Sequence, residues 1–270
     1  MFGIGGGTVP RSSGRVSRAG ASLHYESVGE GPAVIFAHGM GGSHMSWWQQ
    51  VPALADRFRC VTFAHRGFHP STDPEGLGPD GFAEDLLALL DHLGVDQAAL
   101  VGQSMGGWSC LEVALRWPER VRALVMSATA GTIDHATATG RSDWDTQAVV
   151  TRQALLGRGI HPAMGERAAR EQPALHLLYR EIDEASAVRD KEALRRRLAA
   201  GRLRHADAVR ELRMPVLFVA GAEDVVFPPA AAVALAERCG TRAEIVPECG
   251  HSPYFERAEV FNRMLAGFLA

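Results

Sequence analysis

The chain is predicted to fold as an α/β protein. The expected core is a mostly parallel, eight-stranded sheet flanked by helices, with a helical cap inserted after strand 6. Three observations carry this expectation. Short strands that are apolar throughout alternate with amphipathic segments, the pattern of a sheet covered on both faces. The alternation stops over residues 131–213 and resumes cleanly at Met214-Pro215. The length of 270 residues suffices for one large core with a modest second layer above it.

Each element has its own local reason. Residues 1–14 are rich in Gly and Ser and are expected to be a flexible tail. Residues 16–27 alternate, which predicts a hairpin or a pair of edge strands. Ala33-Val34-Ile35-Phe36-Ala37 predicts a buried strand. Residues 43–56 predict a helix with Ser43 as its N-cap, because a hydroxyl there accepts from a free first-turn amide. A strand follows at 59–64. Residues 80–93 predict an amphipathic helix that stops at Gly94, a residue suited to the left-handed turn past a helix end. Residues 98–101 and 121–127 predict strands, with a helix at 105–116 between them. In the insertion, helical segments are broken by Gly157, Gly159, Pro162, Pro173 and Gly201. The Arg-rich stretch 189–204 carries Leu194, Leu198 and Leu203 near helical spacing, so it reads as a helix with a solvated charged face. Strands at 215–220 and 242–246 and helices at 229–239 and 253–269 complete the chain. The expected division is a core of 15–130 and 214–270 with a cap of 131–213.

Composition narrows the function. The chain is 46% hydrophobic and 22% charged, with a net charge of -3. No basic surface dominates, so a nucleic-acid partner is not expected. No run approaches the length of a membrane span, and residues 1–14 lack the apolar core of a signal peptide. The four cysteines, Cys60, Cys110, Cys239 and Cys249, form no C-x-x-C pair. Cys60 and Cys110 lie in apolar runs, as buried thiols do. A cytoplasmic protein with a small-molecule substrate fits these features. The Gly3–Gly7 run lacks the Gly-Lys-Ser/Thr of a phosphate loop, and no metal-ligand spacing is present. Neither a cofactor nor a metal is expected.

The chemistry is legible at the carboxyl ends of the strands, where an open α/β sheet places its active site. Gly102-Gln103-Ser104-Met105-Gly106 joins a strand to a helix. That context makes it a nucleophile elbow, in which a strained turn exposes the Ser104 hydroxyl. The helix start behind it favours developing negative charge. After residues 33–37 comes the glycine-rich turn His38-Gly39-Met40-Gly41-Gly42-Ser43. An acyl-transfer enzyme needs two N–H donors for its oxyanion, and Met40 and Met105 are the natural backbone pair. His38, at the strand end, is given a structural role. After residues 215–220, Asp224 is placed to reach a histidine, with Glu223 as the fallback acid. After residues 242–246, His251 precedes a helix that starts at Pro253. Among eleven histidines it alone follows the last strand. The order Ser, Asp, His distinguishes one hydrolase architecture from chymotrypsin and subtilisin.

Taken together, these segments resemble the α/β-hydrolase-fold enzymes. The matching motifs are His38-Gly39-Met40-Gly41, the loop from Ala64 to Ser71, Gly102 to Gly107, Gly221-Ala222-Glu223-Asp224 and Cys249-Gly250-His251-Ser252. They cover the chain from about residue 21 to its end, apart from the cap. Met126-Ser127-Ala128-Thr129-Ala130 and the short cap are similar to small bacterial esterases and enol-lactone hydrolases. The resemblance implies hydrolysis of a small carboxylic ester or lactone through an acyl-enzyme on Ser104. Relatives that open epoxides or displace halides carry Asp at the nucleophile position, so Ser104 points away from both. Triad-dependent C–C bond hydrolysis, a lyase step, cofactor-free perhydrolysis and a receptor-like binding role stay open. Trp108, Trp144, Phe227 and Tyr254 are the candidate pocket residues, with Phe68 at the rim. Family members commonly have Asp before the Arg-Gly pair and Gly after it, where this chain has His65 and His69. That loop is implied to be structural, with His69 a further candidate at the pocket mouth.

Overall fold

The computed structural model describes residues 3–4, 7–140, 143–186 and 190–270. Among these residues, eight strands form one sheet. They are β1 (Arg11–Arg18), β2 (Ala21–Val28), β3 (Ala33–Ala37), β4 (Arg59–Phe63), β5 (Ala98–Gln103), β6 (Val121–Ser127), β7 (Val216–Gly221) and β8 (Ala243–Val246). Their spatial order is β8-β7-β6-β5-β3-β4-β2-β1. Neighbours from β8 to β4 run parallel, and β2 and β1 form an antiparallel edge. Gly3–Ile4 and Gly7–Thr8 pair separately.

The helices are α1 (Val51–Leu54), α2 (Phe82–His92), α3 (Gly106–Arg116), α4 (Ala136–Thr139), α5 (Trp144–Gly157), α6 (Gly165–Glu171), α7 (Pro173–Ala185), α8 (Lys191–Ala200), α9 (Pro229–Arg238), α10 (Pro253–Glu256) and α11 (Ala258–Phe268). In β3, Ala33, Ile35 and Ala37 pack into one core with residues of α2, α3 and α9. Val34 and Phe36 point the other way, into a core shared with α1 and α11. A strand covered on both faces has to be apolar at every position, which is why it reads as an unbroken run. Each such large side chain contributes about 1.5–3 kcal/mol through burial.

Chain order reverses between β3 and β5: β4 lies on one side of β3, and β5 lies on the other. The crevice beyond the carboxyl ends of those two strands is where such a sheet leaves room for a ligand. Helices α4 to α8 all fall between β6 and β7, as the interrupted alternation predicts. This insertion sends apolar side chains into both cores and is further tied down by ion pairs. Arg204 grips Glu112 of α3 at 2.6 and 2.7 Å, and Arg197 reaches Asp80 and the Gly76 and Leu77 carbonyls.

Several boundaries differ from expectation. The sheet starts at Arg11, so residues 11–14 are not tail. They pair residue for residue with β2, and ladder partners outweigh a Gly/Ser composition. Residues 1, 2, 5 and 6 of the expected tail lie outside the described residues, as does Arg189. The helix expected over 43–56 is a 3-10 turn, His44–Trp47, followed by α1. Pro52 has no N–H with which to continue the first turn. Ser43 does cap the turn, accepting from the Met45 amide at 3.2 Å. The last helix breaks at Arg257, where φ is -130°. Leu203 does not extend the apolar face of α8. Leu194 and Leu198 are buried, but Leu203 lies past the helix end and is 86% exposed. No described helix is long and apolar enough to cross a membrane. Burial pushes the thiols of Cys60 and Cys110 up to about 12, which leaves them inert near neutrality.

Candidate active site

Ser104 ends the β5 turn at φ +50°, a left-handed conformation costly for a residue with a side chain. Two neighbours hold it there. The Ser104 amide donates to the Ser127 carbonyl of β6 at 2.9 Å, and the Gly107 amide donates to the Ser104 carbonyl at 2.9 Å. Close packing permits no larger residue at Gly106, where a Cβ would run into the Ala37 carbonyl of β3. The turn therefore presses directly against the strand that leads to Met40. The amides of Met40 and Met105 donate to no other group among the described residues. Both residues line the same cavity as Ser104 and His251, a space of about 620 Å³.

Asp224 and His251 come from neighbouring loops that are zipped together. The Ala222 amide donates to Val246, and the Glu223 amide donates to Cys249, at 2.9 and 2.8 Å. Gly221 lets these loops touch, since a Cβ there would strike the Gly250 carbonyl. Asp224 Oδ1 accepts the amides of Val226 and Phe227 at 2.7 and 2.9 Å. Its other oxygen lies 2.8 Å from His251 Nδ1. A carboxylate only accepts, so Nδ1 carries the proton and Nε2 is left as the basic nitrogen. Both side chains are almost wholly buried. Glu223, the fallback acid, points outward and pairs with Arg167 at 2.7 Å. The Ser104 hydroxyl has no hydrogen-bond partner among the described residues, and such contacts commonly tighten only when substrate binds.

Two residues that sequence reasoning missed hold the His251 loop. Gln103 donates its side-chain amide to the His251 carbonyl at 3.2 Å. The buried carboxyl group of Glu256 accepts from the Gly250 and Ser252 amides, at 2.9 and 3.0 Å, on either side of the histidine. Burial pushes Glu256 up to about 8, and those two amide bonds pull the opposite way. Its position five residues past His251 is the sole sequence signal, and a Glu in a first helical turn is commonplace.

Of the candidate pocket residues, Trp108 and Phe227 line the cavity; Trp144, Tyr254 and Phe68 do not. Tyr254 is buried against Trp47, with ring centroids 4.5 Å apart. Phe68 is buried against His38 at 4.9 Å. Both fill core space beneath the loops. His69 is exposed and lies outside the cavity lining. The loop order that placed it beside the mouth gave no measure of which way its side chain faces. His38 is fully buried, and its Nε2 accepts the His65 amide while Nδ1–H donates to the Gly39 carbonyl. Burial lowers it to about 4 and keeps it neutral. His65 is likewise held neutral by burial. The fold also brings ligand atoms of His24, Glu26 and His44 within 4.8 Å of one another, a grouping invisible in the spacing. The Glu26 carboxylate in that group is already gripped by Arg11.

Comparison with known proteins places this site in context. Residues 32–258 match the family described as alpha/beta hydrolase fold. The non-heme bromoperoxidase BpoC of Mycobacterium tuberculosis is 30% identical over 268 residues, covering 92% of this chain and 98% of its own. The 3-oxoadipate enol-lactonase 2 of Acinetobacter baylyi is 29% identical over 255 residues, covering 89% and 90%. The solved enol-lactonase of Burkholderia xenovorans LB400 shares the fold, with a TM-score of 0.75 at 24% identity over 95% of this chain and 99% of that one. With a family match across most of its length and homologous enzymes aligned nearly end to end, the chain belongs to the α/β-hydrolase family of enzymes.

Proposed function

We propose that the protein is a serine hydrolase that cleaves a small carboxylic ester or lactone through an acyl-enzyme on Ser104. The observation that carries this reading is the juxtaposition of a strained Ser104 with His251 in one cavity, His251 being fixed by Asp224 at 2.8 Å. Ser104 Oγ attacks the carbonyl carbon as His251 Nε2 takes its proton. The amides of Met40 and Met105 receive the oxyanion, a contribution worth roughly 10²–10³ in turnover per donor. The imidazolium, stabilised by Asp224, then protonates the leaving oxygen. A water activated by the same nitrogen attacks the acyl carbon and releases the acid. Residues 131–213 act as a cap over this chemistry and select the substrate. Enol-lactonases among the relatives support a lactone as readily as an open ester.

Fluorophosphonate labelling read by intact mass, combined with a p-nitrophenyl ester chain-length series, tests the reading. One adduct and fast short-chain turnover are expected, both abolished by Ser104→Ala. An unchanged rate in that purified variant overturns it.

A further inference from the structure

Two buried donors in the cavity wall lack partners. Arg202 Nε and Trp108 Nε1 each have none among the described residues, and both side chains line the space above Ser104. They form one patch. The guanidinium carbon lies 5.2 Å from the Trp108 ring centroid, and Trp108 Nε1 is 3.5 Å from where a Cβ on Gly201 would stand. Unmade hydrogen bonds of buried donors are costly, and more so on a charged group.

The other charges of the cavity are largely spoken for. Lys191 pairs with Asp183 at 2.5 Å, and Arg195 pairs with Glu192 at 3.3 Å. Arg152 spends one nitrogen on the Val225 carbonyl at 2.7 Å. Neither Arg152 nor Arg202 forms an ion pair among the described residues. Burial works against the charge on Arg202, and Asp134 and Asp145 offset it only from beyond ion-pair distance. A cavity lined by two guanidiniums that form no ion pair among the described residues, one of them beside a second orphaned donor, is complementary to an anion. A planar carboxylate is the anion that a guanidinium fork recognises through two parallel N–H bonds.

We infer that this patch is a carboxylate subsite, so that the ester or lactone opened at Ser104 carries a second, free carboxylate held by Arg202 and Trp108. The substrate class rests on the reading of Ser104 as nucleophile; the anion site itself does not.

The test compares mono-4-nitrophenyl adipate and suberate with their methyl-capped counterparts, in the wild type and in Arg202→Gln and Arg202→Lys. The wild type is expected to favour at least one free acid by about tenfold or more in kcat/KM, the scale of one charged hydrogen bond. Arg202→Gln should bring that ratio close to one, and Arg202→Lys should restore part of it. Calorimetry with adipate and dimethyl adipate on the Ser104→Ala variant reads the subsite without turnover. Adipate alone should bind, and adding Arg202→Gln should weaken it at least tenfold. Turnover of capped and free esters at equal rates, with no adipate binding, overturns the subsite and leaves the hydrolase reading standing. Adipate binding without ester turnover or fluorophosphonate labelling keeps the subsite and overturns the nucleophile. A preference that survives Arg202→Gln overturns the assignment to Arg202.

Discussion

Asp224 spends its two oxygens on different tasks, and the division sets what its replacement does. One oxygen accepts two amides of its own loop, and the other faces His251. Asp224→Asn keeps the first set, but its amide N–H₂ can stabilise the wrong imidazole tautomer. On the proposed roles, turnover falls by about 10⁴ while the melting temperature changes little. Steady-state kinetics on matched preparations checks this. Glu223→Gln, which loses an exposed pair with Arg167, should stay within about twofold, since surface ion pairs contribute little. His38 belongs to stability instead. Its folded value lies near 4, below the ordinary 6.5, so the unfolded chain takes up the proton first as the solution is acidified. The stability it contributes is complete above about pH 6.5 and is lost as pH falls toward 4. Urea midpoints across that window should fall more steeply in the wild type than in His38→Gln; parallel curves would contradict the assignment.

The elements hold the site through a few close approaches. The elbow depends on α3 starting flush against β3, so Gly106→Ala should cost at least about 3 kcal/mol, or prevent folding, by overpacking backbone against backbone. Denaturant melts of this variant against Gly267→Ala, which meets open space, provide the comparison. The loop after β4 is pinned differently. Arg66 is buried and makes a fork to Asp85 of α2, at 2.6 and 2.5 Å, with Asp73 at 3.2 Å. Asp85→Asn leaves that guanidinium undercompensated in the interior. A loss of about 3–5 kcal/mol is expected from chemical denaturation, because breaking a buried pair costs far more than a surface one. The element types were readable in sequence since each carries its own periodicity. Their interruptions were less so: Pro52 splits one helix visibly, whereas the break at Arg257 has no local marker.

Across the whole molecule, the insertion is joined to the core by charged contacts, by apolar side chains that enter both large cores, such as Val209 in one and Met164 and Tyr179 in the other, and by a smaller apolar cluster. Leu194 and Leu198 of α8 meet Trp108 and Phe82 there. Glu112 anchors the segment that follows α8: burial raises its proton affinity, but Arg204 and Thr132 outweigh this and hold it below the usual carboxylate range. Glu112→Ala should therefore speed hydrogen exchange in α8 and its flanks while β3 and β5 stay protected; uniform loss of protection would contradict a separable cap. The sequence by itself determined the layered fold, the interrupted alternation and the three positions after β5, β7 and β8. These are matters of local pattern and element order, which every stretch of chain carries within itself. Only tertiary structure decided that Tyr254 and Phe68 are core while Trp108 and Phe227 face the cavity. It also decided that Glu256 and Gln103 grip the His251 loop, and that Arg202 meets Trp108. Apart from the Glu256 bonds, which span six residues or fewer, those facts depend on residues distant in sequence that face one another only once the chain has folded. Side-chain direction and desolvation are set by neighbours distant in sequence, and no local pattern encodes them.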